Sequence, residues 1–205
     1  DCQAKAAKMV LGNDKMSVKL NAQVNAGVKY LIEEGRVEYS GDSLFSDTVL
    51  SMANFKEPIN IEKATVYFNN EGLACDDFLA RIWGLKVNGR IKLLNFKEPK
   101  FDIGIFSDLD LALAQDLLKN KFNLTAPLKI KGRAKLSLDI SAPSLNTKPI
   151  KLGGYLDIMG ASLKPDNMDV SVEDIEGRLE LSSNQVGGKG LSFKYQSIPC
   201  KLSFL

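Results

Sequence analysis

Residues 16 to 30 read MSVKLNAQVNAGVKY, and this stretch decides the fold. Every even position from Met16 to Tyr30 is apolar, while the odd positions are Ser, Lys, Asn, Gln or Gly. An α-helix would scatter the apolar residues around its circumference, whereas a β-strand gathers them on one side. The stretch therefore predicts a strand of roughly 50 Å with one apolar and one polar face. A tight turn at Asn25-Ala26-Gly27 is the alternative, and it would divide the strand in two.

The same alternation recurs along most of the chain, as in WGLKVNGRIKL (83–93) and LKIKGRAKLSLDI (128–140). Clusters rich in Gly, Asn, Asp and Pro predict turns between these runs, and their short spacing favours antiparallel hairpins. The predicted turns are Glu33-Glu34-Gly35, Ser40-Gly41-Asp42, Asn69-Asn70-Glu71-Gly72, Lys164-Pro165-Asp166-Asn167 and Gly187-Gly188. One short helix is predicted from Asp110 to Lys119, with Asp108 or Asp110 as its N-cap. The fold class predicted is all-β and mainly antiparallel.

Composition and charge argue against several classes of function. The 205 residues include 44% apolar and 25% charged residues, which is ordinary for a folded protein, and at this length one all-β domain is the simplest prediction. The 27 basic and 25 acidic residues are interspersed, so nucleic acid is not an expected partner. The three cysteines, Cys2, Cys75 and Cys200, form no metal-binding spacing, and they leave both pairing and cellular compartment open.

The sequence offers no set of residues suited to catalysis. It contains no histidine, which removes the commonest general base and metal ligand. The close carboxylates are Asp76-Asp77, expected in a turn, and Asp108 with Asp110, expected to cap the helix. We therefore expect no enzyme activity, no metal and no cofactor.

The ends of the chain suggest a piece of a larger protein. It starts at Asp1 without a methionine, and it contains neither an apolar run of about 18 residues nor a signal-peptide core. We expect a processed protein or fragment whose anchor is missing. Within residues 1–205 we predict a single elongated segment with weakly repeated strand modules at about 15–120 and 121–205.

A sheet that is polar on one side must cover its apolar side. It can close into a barrel, pack on a second sheet, face a bilayer or curl around an apolar ligand. Alternation alone favours a closed sandwich or barrel. Few Tyr and Trp, many Lys and an internal helix argue against an outer-membrane barrel.

Several stretches between Leu128 and Leu205 follow a common pattern of glycine and alternation. They are LKIKG (128–132), GGYLDIMGASL (153–163), VEDIEGRLEL (172–181) and GLSF (190–193). This region resembles the C-terminal part of AsmA-like proteins, a bacterial envelope family that includes TamB-type and YhdP-type proteins. The earlier stretch from Ile59 to Leu118 is similar to the preceding module of that family.

The resemblance implies a long, twisted, taco-like open β-groove, similar to those of bridge-like lipid-transfer proteins. It implies a membrane-associated conduit for phospholipid or another acyl lipid across the periplasm, between inner and outer membranes, that serves outer-membrane biogenesis. The full-length protein would be anchored in the inner membrane through flanking segments. The oligomeric state stays open. The residues predicted to line the groove are Val18, Leu20, Val24, Trp83, Leu85, Val87, Ile91, Leu128, Ile130, Leu136, Leu138, Leu156, Ile158, Leu179, Leu181 and Phe193.

Two other hypotheses compete with the lipid conduit. The first is a closed β-sandwich or solenoid domain of a secreted or surface protein that mediates protein contacts. The second is an enzyme acting on envelope lipids or glycans, which would need a polar cleft with paired acids. Tightly packed sheets without a ligand would favour the structural domain.

Overall fold

A computed structural model gives the backbone of residues 2–13, 16–52, 57–142 and 150–204. Side chains are described for residues 17–51, 57–121, 123–142 and 150–204. The strands are β1 (Cys2–Asn13), β2 (Met16–Leu31), β3 (Arg36–Met52), β4 (Ile59–Asn69), β5 (Gly72–Ile82), β6 (Leu85–Leu94), β7 (Lys100–Asp110), β8 (Leu128–Ala142), β9 (Lys151–Pro165), β10 (Val172–Ser182), β11 (Val186–Tyr195) and β12 (Ile198–Phe204). Helix α1 (Leu111–Phe122) connects β7 to β8.

The twelve strands form one open sheet in which they follow each other in chain order, so that β1 and β12 are its edges. The pairs from β1 to β6 and from β9 to β12 are antiparallel. This confirms the predicted fold class, a mainly antiparallel open sheet with one short helix. The chain folds as two compact units. Unit 1 comprises Asp1–Ile105 and Ile140–Ile150, and unit 2 comprises Phe106–Asp139 and Lys151–Leu205.

Two predicted turns are wrong because glycine serves a different purpose there. Ser40-Gly41-Asp42 lies inside β3, where Gly41 pairs with Phe68 of β4. A Cβ on Gly41 would lie 2.7 Å from Cζ of Phe68, so the glycine leaves room for the ring. Gly187-Gly188 likewise lies inside β11, and a Cβ on Gly188 would lie 2.6 Å from Cε1 of Phe204. The alternative turn at Asn25-Ala26-Gly27 is also absent, since β2 runs unbroken through these residues.

Trp83 is not the strand residue that the alternation predicts. It forms a two-residue turn with Gly84 between β5 and β6, and both residues have positive φ, 52° and 81°. Two consecutive positive φ values are the mark of a type I′ hairpin turn, whose twist matches that of the flanking strands. The carboxylate pair Asp76-Asp77, expected in a turn, lies instead within β5 at an irregularity in its pairing with β6.

The helix begins as the sequence predicts and ends three residues later. Asp110 is the N-cap, and its carboxylate accepts hydrogen bonds from the backbone N–H groups of Ala112 (2.9 Å) and Leu113 (3.1 Å). Such a bond satisfies amides that have no partner within the helix. At the other end Asn123 has left-handed backbone angles, which stop the helix after Phe122.

Candidate functional site

The candidate site is the apolar face of the sheet, described first for unit 1. Cross-strand register places apolar residues of neighbouring strands opposite one another, because directly paired residues share a face. The pairs include Val18 with Leu50, Ala22 with Phe45, Phe45 with Ala64, Ala64 with Phe78, Ala80 with Val87, and Cys75 with Ile91. One side of β2 to β6 is thus apolar from strand to strand.

Unit 2 has a corresponding apolar face. Its pairs include Leu156 with Leu179, Ala161 with Ile175, Leu191 with Leu202, and Phe193 with Cys200. Leu181 with Val186 joins β10 to β11, so the face runs continuously from β9 to β12 within this unit.

Most of the predicted lining residues are only partly covered by the protein. Of the sixteen, Val87 is buried and the other fifteen are half-buried. Apart from Trp83 in its turn, all of them lie in strands. The alternation therefore predicted side chains of intermediate burial, neither fully buried nor fully exposed.

Burial across the described residues is unusual for a folded protein. The buried apolar residues are mostly small: Ala22, Ala64, Cys75, Ala80, Ala134 and Ala161, together with Val87, Leu111 and Leu191. The largest side chain with less than 2% exposure is Thr48. An ordinary core instead buries leucine, isoleucine and phenylalanine. The large apolar side chains on this face therefore form a half-covered surface.

Aromatic rings lie over three glycines of the apolar face. Besides the Phe68 and Phe204 rings over glycine, Phe78 lies over Gly89, whose added Cβ would be 2.6 Å from the ring. The ring and the glycine lie on neighbouring strands in each case. Packing of this kind removes gaps between strands and leaves a smoother apolar surface.

A few polar groups are buried on the apolar face of unit 1. The hydroxyl of Ser43 is buried without a hydrogen-bond partner, and that of Thr48 donates to the carbonyl of Ser46 at 3.4 Å. The thiol of Cys75 donates to the carbonyl of Asp77 at 3.4 Å, and burial raises the pKa of this thiol. A raised pKa keeps the thiol protonated and unreactive.

The opposite face carries cross-strand ion pairs. Arg178 donates to both carboxylate oxygens of Asp157 (2.6 and 2.8 Å) and lies 4.0 Å from the ring centre of Tyr155. The hydrogen bond from Arg178 lowers the pKa of Asp157. Lys194 pairs with Asp174 at 2.8 Å. All these groups are solvated, so the pairs contribute little to stability.

Strands β2 and β3 extend beyond β4 as a two-stranded tongue, residues 28–39. Its apolar side carries the cross-strand pairs Val28 with Tyr39 and Tyr30 with Val37. All four are exposed, and Ile32 at its end is 83% exposed.

The tongue is held at its base by Asn70. The side-chain amide of Asn70 accepts from the N–H of Tyr39 (2.6 Å) and donates to the carbonyl of Val37 (2.8 Å). It thereby takes the place of the strand that β3 lacks at this point. A cleft of about 690 Å³ beside the tongue is lined by Lys29, Arg36 and Asn70, among others.

Helix α1 lies on the apolar face of unit 2. Its first residue, Leu111, is buried against Ala134 and Ala161. Four partly buried residues surround this cluster: Ile130, Leu156, Ile158 and Ile175. Three of the predicted lining residues, Ile130, Leu156 and Ile158, are therefore in contact with a cluster that already contains a side chain of the helix.

Phe45 and Phe78 lie on the apolar face although the alternation does not predict them there, because β-bulges shift the alternation by one residue. Asp47 has a positive φ of 47°, and the register of β3 against β2 shifts nearby, which brings Phe45 onto the same side as Leu50. The shift between Cys75 and Phe78 does the same for Phe78. The sequence feature that could have indicated these bulges is the aspartate at each of them, Asp47 in β3 and Asp76-Asp77 in β5.

Neither a metal centre nor a spanning helix is present in the part of the chain that the structure describes. Within it, no three His, Cys, Asp or Glu residues cluster as metal ligands would. No helix there has the length and hydropathy to cross a membrane. In comparisons with known proteins, no family model, curated protein or solved structure matches the chain.

Proposed function

We propose that this chain is a lipid-binding module that shields the acyl chains of phospholipid, or of another acyl lipid, on the apolar face of its sheet. The observation that supports the proposal is a single open sheet with one apolar face, whose large side chains are only half-buried. A protein-interaction domain with a sealed core would bury those leucines, isoleucines and phenylalanines.

The proposed mechanism is physical and involves no bond chemistry. Each CH₂ group that leaves a bilayer for water costs about 0.8 kcal/mol. An apolar face that receives the chain as it leaves lowers this cost, and the charged headgroup stays in solvent at the margin of the sheet. The hydroxyls of Ser43 and Thr48 are already buried, so recognition rests on apolar contact.

The proposed cellular setting comes from the resemblance to AsmA-like proteins. On that basis the module transports lipid across the periplasm of a Gram-negative-type bacterium, between inner and outer membranes. A longer chain would supply an anchor to the inner membrane. These expectations depend on the glycine and strand pattern of residues 128–205.

Photo-crosslinking in cells tests the proposal with neighbouring positions on opposite faces. A photoreactive residue is placed at Ile91 or Leu136, both half-buried on the apolar face, and at the exposed controls Lys92 and Lys135. We expect phospholipid to be captured from Ile91 and Leu136 but not from the two lysine positions. Native mass spectrometry of the purified protein should find co-purified lipid.

Two outcomes would contradict the proposal. Equal capture from both faces would mean that the contact is not one-sided. Absence of lipid in both experiments, with protein captured at Ile91 and Leu136 instead, would favour the protein-contact domain.

A further inference from the structure

One part of the apolar face in unit 2 is already occupied by the protein itself. Leu111 is 7% exposed, and the residues beneath it, Ala134 and Ala161, are 0% and 1% exposed. These alanines are too small to cover one another across neighbouring strands, and the leucine fills the space above them. Ile130, Leu156 and Ile158 are half-buried and pack against this cluster. Elsewhere on the face of unit 2 Leu191 is also buried, while Leu179, Leu181 and Phe193 are half-buried without contact to the cluster.

The helix that carries Leu111 is fixed by polar contacts of its own. The side chain of Gln115 donates to the carbonyl of Leu128 (2.5 Å) and accepts from the N–H of Ile130 (3.1 Å). These are two backbone groups of β8 that a neighbouring strand would otherwise pair. This amide therefore links the helix to β8 through hydrogen bonds that do not involve the leucine.

Leu111 covers part of the apolar face, and Gln115 links its helix to β8. The helix therefore marks a boundary of the lipid-binding face. We propose that α1 is a fixed stop, and that Leu111 keeps an acyl chain off the surface formed by Ile130, Leu156 and Ile158. The inference rests on the proposed function and adds a residue that limits which part of the face a lipid uses. An acyl chain in unit 2 then lies on the part of the apolar face outside the cluster under the helix.

The test places a diazirine side chain of about leucine size at three positions of the full chain. Leu156 lies in the cluster under the helix, Leu181 lies outside it in unit 2, and Leu85 lies in unit 1. With phosphatidylethanolamine vesicles as the lipid source, we expect capture from Leu85 and Leu181 and about tenfold less from Leu156.

Removing the Leu111 side chain should give an acyl chain access to the surface under the helix. Leu111→Ala deletes three carbon atoms, and we expect capture from Leu156 to rise about tenfold. The control Leu113→Ala removes a leucine from the same helix that is exposed, and it should leave capture unchanged. Far-ultraviolet circular dichroism checks that both variants fold. The comparison of Leu156 with Leu181 in the otherwise unchanged chain does not depend on either variant folding.

The outcomes separate the stop from the function on which it rests. Equal capture from Leu156 and Leu181 in the unchanged chain would overturn the stop and leave lipid binding intact. A folded Leu111→Ala variant without increased capture at Leu156 would also overturn it. Absence of capture at all three positions, Leu85 included, would overturn the proposed function and the stop together.

Discussion

Gly89→Ala is expected to destabilise unit 1, although alanine normally suits a strand better than glycine does. The added Cβ would lie 2.6 Å from Cζ of Phe78 and in contact with the carbonyl oxygen of Gly104. Real contacts of this kind are about 3.5–4.0 Å, so the neighbours would have to move by about 1 Å. The Phe78 ring can rotate away, but the Gly104 oxygen belongs to the backbone of β7. Such overpacking costs about 1–3 kcal/mol.

The assay is urea unfolding followed by the fluorescence of Trp83, the single tryptophan, which lies in unit 1. Gly27→Ala is the matched control, since its Cβ would meet only one atom, the Ser40 oxygen, at 4.0 Å. We expect Gly27→Ala to be neutral or stabilising by up to about 1 kcal/mol. If Gly89→Ala unfolded at the same urea concentration as this control, the close approach between β6 and β7 would be refuted.

Three further predictions follow from individual contacts. Asn70→Ala should increase hydrogen exchange at the Tyr39 amide by about fivefold, because it removes the acceptor of a solvent-exposed hydrogen bond worth about 1 kcal/mol. Unchanged exchange would mean that the Asn70 side chain does not hold the base of the tongue. Arg178→Gln should raise the pKa of Asp157 towards its usual value in an NMR titration. Because the folded-state pKa is lowered, the contribution of the ion pair to stability should be present above about pH 4 and be lost as the pH falls through the folded-state pKa. Alkylation of Cys75, measured by peptide mass spectrometry, should stay slow up to about pH 9, since its pKa is raised, and should become fast on unfolding.

Local patterns in the sequence predicted most of the fold because the strands are hydrogen-bonded to their chain neighbours. The alternation in residues 16–30 and the cap at Asp110 both describe interactions within a few residues. Pairing between chain neighbours then leads from β1 to β12, with helix α1 between β7 and β8. A sheet in chain order is the topology that periodicity and turns predict best.

The errors arise where a local pattern has two physical meanings. A glycine beside polar residues predicts a turn, yet Gly41 and Gly188 are strand residues under aromatic rings from other strands. Trp83 continues the alternation but takes a positive φ because Gly84 follows it in a two-residue turn. Contact between Leu111 and the alanines of β8 and β9 depends on the return of the chain after the helix, which no periodicity describes.

The incomplete coverage of the apolar face relates stability to function. In a two-layer protein the second layer interlocks with the first and buries its large side chains. Here Leu111 does this over two alanines of unit 2, while residues such as Leu85, Ile91 and Leu181 stay half-buried. Exposed apolar area costs about 25 cal/mol per Å², and a bound acyl chain would cover part of this area. On the proposed function, lipid binding and folding are therefore linked, and the bound form is the more stable one.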